Sequence, residues 1–311
     1  MKLYLAPLQE YTEYSYRNAI NKYIGTFDKY FIPYISYNND KKLKNRQQRD
    51  ILTENNQNIH VVPQILASNK QEIEFLIPFL SDYKELNINF GCPYPMATKR
   101  GRGAGIYNHI EATHEILDTI LKEFDGKVSI KMRSGLESHE TWKEMVDILN
   151  EYDLEEVIIH PRTAKQLYKG KVDLSYLDEF VKKLRHDVIY NGDINTLEDY
   201  SSILSHTNLI KGAMLGRGAL NDIHLVQKIK QNDANIENQL NILIQIHQDV
   251  FQDINEQTDI EQQVIQKMER FWSYFCNHFN NSHKVYKKFK KSRNINEYKA
   301  ALSFAKQQGV Q

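Results

Sequence analysis

Little in this chain of 311 residues could hold it together covalently, because it contains only two cysteines, Cys92 and Cys276. So few exclude a disulfide framework and fit a reducing compartment. Long apolar runs are also missing. No stretch approaches the ~18 consecutive apolar residues that a spanning helix needs, so no membrane segment is expected. The opening Met1-Lys2-Leu3-Tyr4-Leu5-Ala6-Pro7 carries one positive charge and no extended apolar run, and does not read as a secretory signal. A cytoplasmic protein is therefore expected. Several motifs are absent as well. There is no G-x-x-x-x-G-K-[ST] loop. Gly101-x-Gly-x-Gly lacks both the spacing of a dinucleotide fingerprint and a strand directly before it. His114-Glu115 is not followed by a histidine at zinc-helix spacing, and no metal is expected.

Net charge is absent too, since 40 basic residues balance 40 acidic ones. That balance hides a split. Residues 270–311 hold nine Lys or Arg (Arg270, Lys284, Lys287, Lys288, Lys290, Lys291, Arg293, Lys299 and Lys306) and a single acid, Glu297. A tail so one-sided points to an anionic partner. Hydrophobic residues make up 41% of the chain, enough to bury a sizeable core. The length suits a barrel of about 250 residues with a small appendage.

A structural rhythm runs through the first two thirds of the chain. Short apolar or β-branched runs occur at residues 3–6, 29–36, 59–66, 85–90, 127–132, 156–160, 187–190 and 209–215, each followed by a helix-like stretch. Most are nearly continuous apolar runs, as parallel strands buried on both faces should be. Ser68 with Gln71 and Thr141 with Glu144 have capping-box spacing, and Thr196 with Asp199 is similar. Eight strand–helix alternations favour an α/β fold, a (β/α)8 barrel, over a doubly wound open sheet. One connection is unusually long. It carries the Gly/Pro-rich segment 91–105, which makes it a candidate functional loop.

Beyond residue 220 the strand rhythm stops. Residues 232–241 are Asn/Gln-rich and read as a linker. Ile236, Leu240, Leu243, His247 and Phe251 then recur at helical spacing. Thr258 with Glu261 matches a capping box opening a helix to about Phe279, and shorter helices are expected at 282–291 and 295–306. The expected organisation is a catalytic barrel over 1–235 and a small, basic, helical domain over 236–311.

Barrel enzymes place their chemistry where strands end and the following loops begin. Those positions hold Pro7, Gln64, Asn89, Cys92, Lys131, Arg133, His160, Arg162, Asn191, Gly192, Gly216 and Arg217. Lys131 at a barrel mouth favours function, because burying an amine alone is costly. His160 and Gln64 read equally well as satisfied structural residues. Cys92, between Gly91 and Pro93, is either a small buried hydrophobe or a thiol placed to act as acid or nucleophile. Asn191-Gly192-Asp193 and Gly216-Arg217-Gly218 follow the seventh and eighth strands. In many barrels those two loops hold a phosphate.

In order along the chain, Leu5-Ala6-Pro7-Leu8 with Thr12 and Arg17, Asn89-Phe90-Gly91-Cys92-Pro93, Lys131-Met132-Arg133, His160-Pro161-Arg162-Thr163 with Tyr168 and Gly170, Asn191-Gly192-Asp193-Ile194, and Leu215-Gly216-Arg217-Gly218 resemble the motifs of the tRNA-dihydrouridine synthase family. Six collinear matches are specific where one would be weak. Leu8 stands where the family usually has Met, Gln9-Glu10 replaces small residues, and Pro161 often corresponds to Gly.

The resemblance implies FMN at the barrel mouth and NADPH as reductant. It implies flavin contacts from Pro7, Gln64, Lys131 and His160, and a phosphate held by Asn191, Gly192, Asp193, Gly216 and Arg217. Asn89 and Arg162 would meet the uridine. The flavin N5 would pass hydride to uracil C6 while Cys92 protonates C5. The target nucleotide must leave its stack to be reached. In the run 283–293, Lys287, Lys288 and Lys291 among aromatics would contact tRNA, or ribosomal RNA. The competing readings are an FMN oxidoreductase of a free pyrimidine, similar to dihydroorotate or dihydropyrimidine dehydrogenases, and an RNA-binding protein on a degenerate barrel.

Overall fold

The computed structural model describes residues 1–38, 41–231 and 237–310. Eight strands, β1 (Lys2–Leu5), β2 (Lys29–Ser36), β3 (Val61–Leu66), β4 (Glu85–Phe90), β5 (Lys127–Gly135), β6 (Glu156–Thr163), β7 (Asp187–Asn191) and β8 (Gly212–Leu215), close into a barrel in chain order. Every neighbouring pair is parallel, including β1 with β8. The apolar runs behave as continuous buried strands: Ile130, Val157, Ile158, Ile159, Ile189 and Leu215 are wholly buried.

The expected strand positions recur with shifted ends. β5 and β6 each run three residues further than their apolar runs suggest, because Arg133 and Arg162 stay on the ladder with their guanidinium groups internally bonded. The capping expectations are corrected as well. Asn69, not Ser68, caps the helix Lys70–Leu76, accepting from the Glu72 N–H, while the Glu72 carboxylate accepts from the Ser68 N–H. Thr141 turns its hydroxyl to the Ser134 and Ser138 carbonyls, and Thr258 bonds Gln263 and the Ile260 N–H. Asn and Thr side chains take whichever local donor the turn presents, which spacing alone does not reveal.

The chain forms two compact units. The first comprises Met1–Pro7, Asp28–Ile194 and Glu198–Gly216, and holds the whole barrel. Where its strands begin, Glu156 accepts from the Tyr4 hydroxyl at 2.8 Å and from Lys29 Nζ at 3.1 Å, and Lys29 also reaches Glu85 at 2.6 Å. This buried ionic plug is satisfied on every side, as burial of charge demands. The second unit gathers Leu8–Phe27, Asn195–Leu197 and the chain from Arg217 onward. The expected division at 235/236, and Ile236 with it, lie outside the described residues.

In the second unit the long helices are Gln239–Glu256, Glu261–Phe275, Ser282–Lys291 and Ile295–Gln308. The first of these starts within the expected linker, at Gln239. Their shared core is aromatic. Trp272 stacks on Phe289 at 3.7 Å and donates its indole N–H to Tyr298, whose hydroxyl is also hydrogen-bonded with His247 Nε2. Among the described residues, no helix is long and apolar enough to cross a membrane, and no group of three or more potential ligands could hold a metal.

Candidate active site

The first unit's functional end is assembled by strand register. β4 and β5 set Asn89 beside Lys131, and β5 and β6 set Arg133 beside His160. Within the barrel a file of amides crosses from strand to strand. Asn87 Nδ2 donates to Ser129 Oγ at 2.8 Å, Gln64 Nε2 to Asn87 Oδ1 at 2.7 Å, and Asn89 Nδ2 to Gln64 Oε1 at 2.7 Å. Asn89 Oδ1 then accepts from the backbone N–H groups of Gly91, at 3.0 Å, and Cys92, at 2.8 Å. Two amide acceptances exhaust that oxygen. Asn89 thus fixes the backbone at Cys92, while Gln64, buried deeper, orients Asn89.

The loop bearing Cys92 is ordered by three further anchors. Arg133 Nε donates to the Gly91 carbonyl at 3.0 Å. The Ala104 N–H donates to the Cys92 carbonyl at 3.0 Å. Arg102, buried, grips Glu72 through Nε and Nη2, tying the loop to the helix Lys70–Leu76. Gly103 passes directly behind the cysteine. A Cβ there would lie 2.6 Å from the Cys92 Cβ, and its φ of +57° also calls for glycine.

Cys92 itself is buried against Leu66, Ala97 and Tyr34. Burial pushes its thiol pKa up. A backbone hydrogen bond at Tyr94, a hydrogen bond with Tyr34, and the charges of Arg133 and Lys131 pull the other way without cancelling the rise. The sulfur therefore carries its proton at neutral pH, the state a proton donor needs. Tyr34 was not foreseen from the sequence. Its one signal there is Pro33, a residue that interrupts a ladder and marks a bulge.

Lys131 contrasts with the other cations on the eight strands, Lys2, Lys29, Lys127, Arg133 and Arg162, all of which have partners. The Lys131 amine makes no hydrogen bond or ion pair among the described residues. Desolvation first, and the neighbouring Arg133 charge second, bring its pKa down to about 7, with Cys92 opposing. A cation left so exposed to its own desolvation cost fits an anionic or electron-rich ligand beside it.

His160 is buried and accepts from Arg162 Nη1 at Nε2, 3.1 Å away. An arginine only donates, so the imidazole proton sits on Nδ1. Arg162 is itself buried and forked onto Asp193, at 2.9 and 2.5 Å, with Nη2 also donating to the Gly170 carbonyl. The expected uridine contact and the expected phosphate contact thus bind each other, behind His160. Asn191 Nδ2 donates to the Met214 carbonyl at 2.7 Å, joining β7 to β8. Gly192, at φ +148°, leaves no room for a Cβ, which would meet Val172 at 2.8 Å. Gly216 lies one residue past β8 and Pro7 two residues past β1, both in the barrel unit. Arg217 opens the helix Arg217–Asn221 in the second unit.

In that second unit, the helix Ser282–Lys291 buries Val285 and Phe289 and turns Lys287, Lys288 and Lys291 outward. None of the three forms an ion pair among the described residues, whereas Arg270 is paired with Glu10 at 2.8 Å. Lys288 also lies over the Phe304 ring at 5.4 Å.

The chain is similar to known proteins in sequence and in fold. The family model described as dihydrouridine synthase matches residues 4–309. A protein of Helicobacter pylori (strain ATCC 700392 / 26695), named probable tRNA-dihydrouridine synthase, is 27% identical over 242 residues, covering 75% of this chain and 71% of that protein. The tRNA-dihydrouridine(16) synthase of Vibrio parahaemolyticus is 29% identical over 150 residues, 47% of this chain and 46% of that one. Among solved structures, the old yellow enzyme from Trypanosoma cruzi superposes with a TM-score of 0.54 at 8% identity, covering 78% of this chain and 91% of that one. At that identity the likeness concerns the barrel fold alone.

Proposed function

The chain belongs to the dihydrouridine synthase family, and on that premise we propose that it reduces the C5–C6 double bond of specific uridines in tRNA to dihydrouridine, with FMN as cofactor and NADPH as reductant. The observation that carries this reading is the partnerless amine of Lys131 set near a thiol that burial keeps neutral, Cys92, at the end of the barrel where strands finish.

Lys131 supplies the fit to a flavin. A cation without a carboxylate partner is desolvated for nothing unless a ligand brings negative charge, and a reduced flavin can do so. Gln64, Lys131 and His160 are the groups assigned to the flavin ring. Asn191, Gly192 and Gly216, past the seventh and eighth strands, are assigned to its phosphate. FMN held by these residues would supply the hydride chemistry needed at C6 of the base. The chain's own residues do the remainder. Asn89, Arg133 and Gly103 hold the Cys92 loop, and Cys92 gives its proton to C5. Arg162, anchored on Asp193, donates to His160 Nε2 and so fixes the orientation of the ring.

A stacked uridine offers neither face of its ring, so the base must leave the stack. Residues 236–311 are assigned to RNA binding, with Lys287, Lys288 and Lys291 meeting phosphates, and the protein works in the cytoplasm. Nucleoside mass spectrometry of tRNA from a deletion strain tests the function. Dihydrouridine at one or more positions should disappear and return on complementation. An unchanged dihydrouridine content at every position would refute it.

A further inference from the structure

We propose that Tyr34 is a positioning residue for proton transfer at Cys92: its hydroxyl holds the sulfur in place and donates a hydrogen bond to the thiolate that remains when the proton has left. The proposal rests on reading Cys92 as the proton donor. It starts in β2, where Pro33 has no N–H to give the ladder and the pairing with β3 slips between Ile32 and Ile35. Such a bulge re-aims the side chains beside it. Ile32 and Ile35 stay wholly buried in the core, while Tyr34 is half-buried and packs against Leu66, Cys92 and Ala97. Its side chain lies against Cys92, and the phenol there favours the thiolate form of the sulfur.

The chemistry of the step explains why a hydroxyl is useful there. The S–H bond breaks and its electron pair stays on sulfur. The C5–H bond forms from the electron pair that hydride addition at C6 leaves on the base. Sulfur is neither oxidised nor reduced, and the thiolate later regains a proton from water. Between those events an anion sits beside Leu66 and Ala97, where an undonated charge is costly. The groups that face it are the Tyr34 hydroxyl, a backbone group at Tyr94, and the charges of Arg133 and Lys131 on β5. Arg46 and Tyr94 face Tyr34 in turn. Burial, its largest influence, raises the Tyr34 pKa to about 12, so the phenol keeps a proton to donate through the neutral range.

The test reads the acidity of the sulfur directly. The rate of iodoacetamide alkylation of Cys92 is measured against pH in the full-length protein and in Tyr34→Phe, with peptide mass spectrometry separating Cys92 from Cys276. Phenylalanine keeps the ring and removes the hydroxyl. The midpoint of the profile should rise by about one pH unit, equivalent to roughly tenfold slower alkylation at a fixed pH below it. Flavin content should be unchanged, and turnover on tRNA should fall with KM for tRNA unaltered. Tyr34→Met, of similar reach, serves the same measurement if Tyr34→Phe does not fold. A midpoint that stays in place, or moves down, overturns the proposal. Because alkylation needs no flavin, reductant or RNA, that result is distinct from a Cys92→Ala enzyme that still turns over, which would overturn the reading of Cys92 itself.

Discussion

Lys131→Met should make the flavin-free protein more stable while abolishing most of its activity. The argument is one of proton linkage. Unfolded, the amine titrates near 10.5; folded, at about 7. Between those values the unfolded chain binds the extra proton, so stability rises with pH across that window and the Lys131 penalty is largest at and below pH 7. At pH 7 the difference corresponds to about 4 kcal/mol. The side chain retains some contact with water, which screens its charge, so this is an upper bound. Methionine fills a similar volume with no charge to desolvate. Urea unfolding of the flavin-free wild type and variant at pH 7, 8, 9 and 10 isolates the effect, since other titrations cancel in the difference. The variant should be more stable at pH 7, and its advantage should shrink steadily toward pH 10. A pH-independent difference would show that Lys131 is not the depressed amine described, and the fit to an anionic ligand would go with it.

Gly103→Ala should cost about 1–3 kcal/mol of stability and displace Cys92, because its Cβ would sit 2.6 Å from the cysteine's own; thermal melting and turnover should both fall, and a variant with normal turnover would contradict the packing described. The second unit should weaken in acid. Burial lowers the pKa of His278 to about 4 and of His247 to about 3, so both are neutral when folded. Their stabilisation is complete above about pH 6.5 and is lost as pH falls toward those values, by up to about 3 kcal/mol for His278. Helical content followed against pH in the wild type and in His278→Gln should show a shallower acid transition for the variant. Replacing Lys287, Lys288 and Lys291 together with alanine should lower the slope of log Kd for tRNA against log salt by roughly two units. An unchanged slope would remove this helix from the RNA interface.

The barrel was legible because its strands are buried on both faces, so their apolar runs stand out in sequence. The ends of β5 and β6 were not, since Arg133 and Arg162 look like loop residues until their internal hydrogen bonds are seen. Cys92 and Lys131 could be found from their strand-end positions. What each does depends on neighbours distant in sequence, such as Tyr34 and Asn89 for the thiol. Arg162 with Asp193 illustrates the same limit: each reads as a ligand group, and the ion pair that joins them, 31 residues apart, shows only in the fold. The aromatic core around Trp272 was likewise invisible, because helical spacing shows which face is buried but not what stacks there.

The most direct measurement of the central claim is tRNA reduction in heavy water by the FMN-loaded protein with NADPH, followed by mass spectrometry and NMR of the nucleosides. Dihydrouridine should form with solvent deuterium at C5 and hydrogen from the reductant at C6, and Cys92→Ala should bind flavin and tRNA yet lose most of this product. Deuterium absent from C5, or near-normal product from Cys92→Ala, would contradict the account.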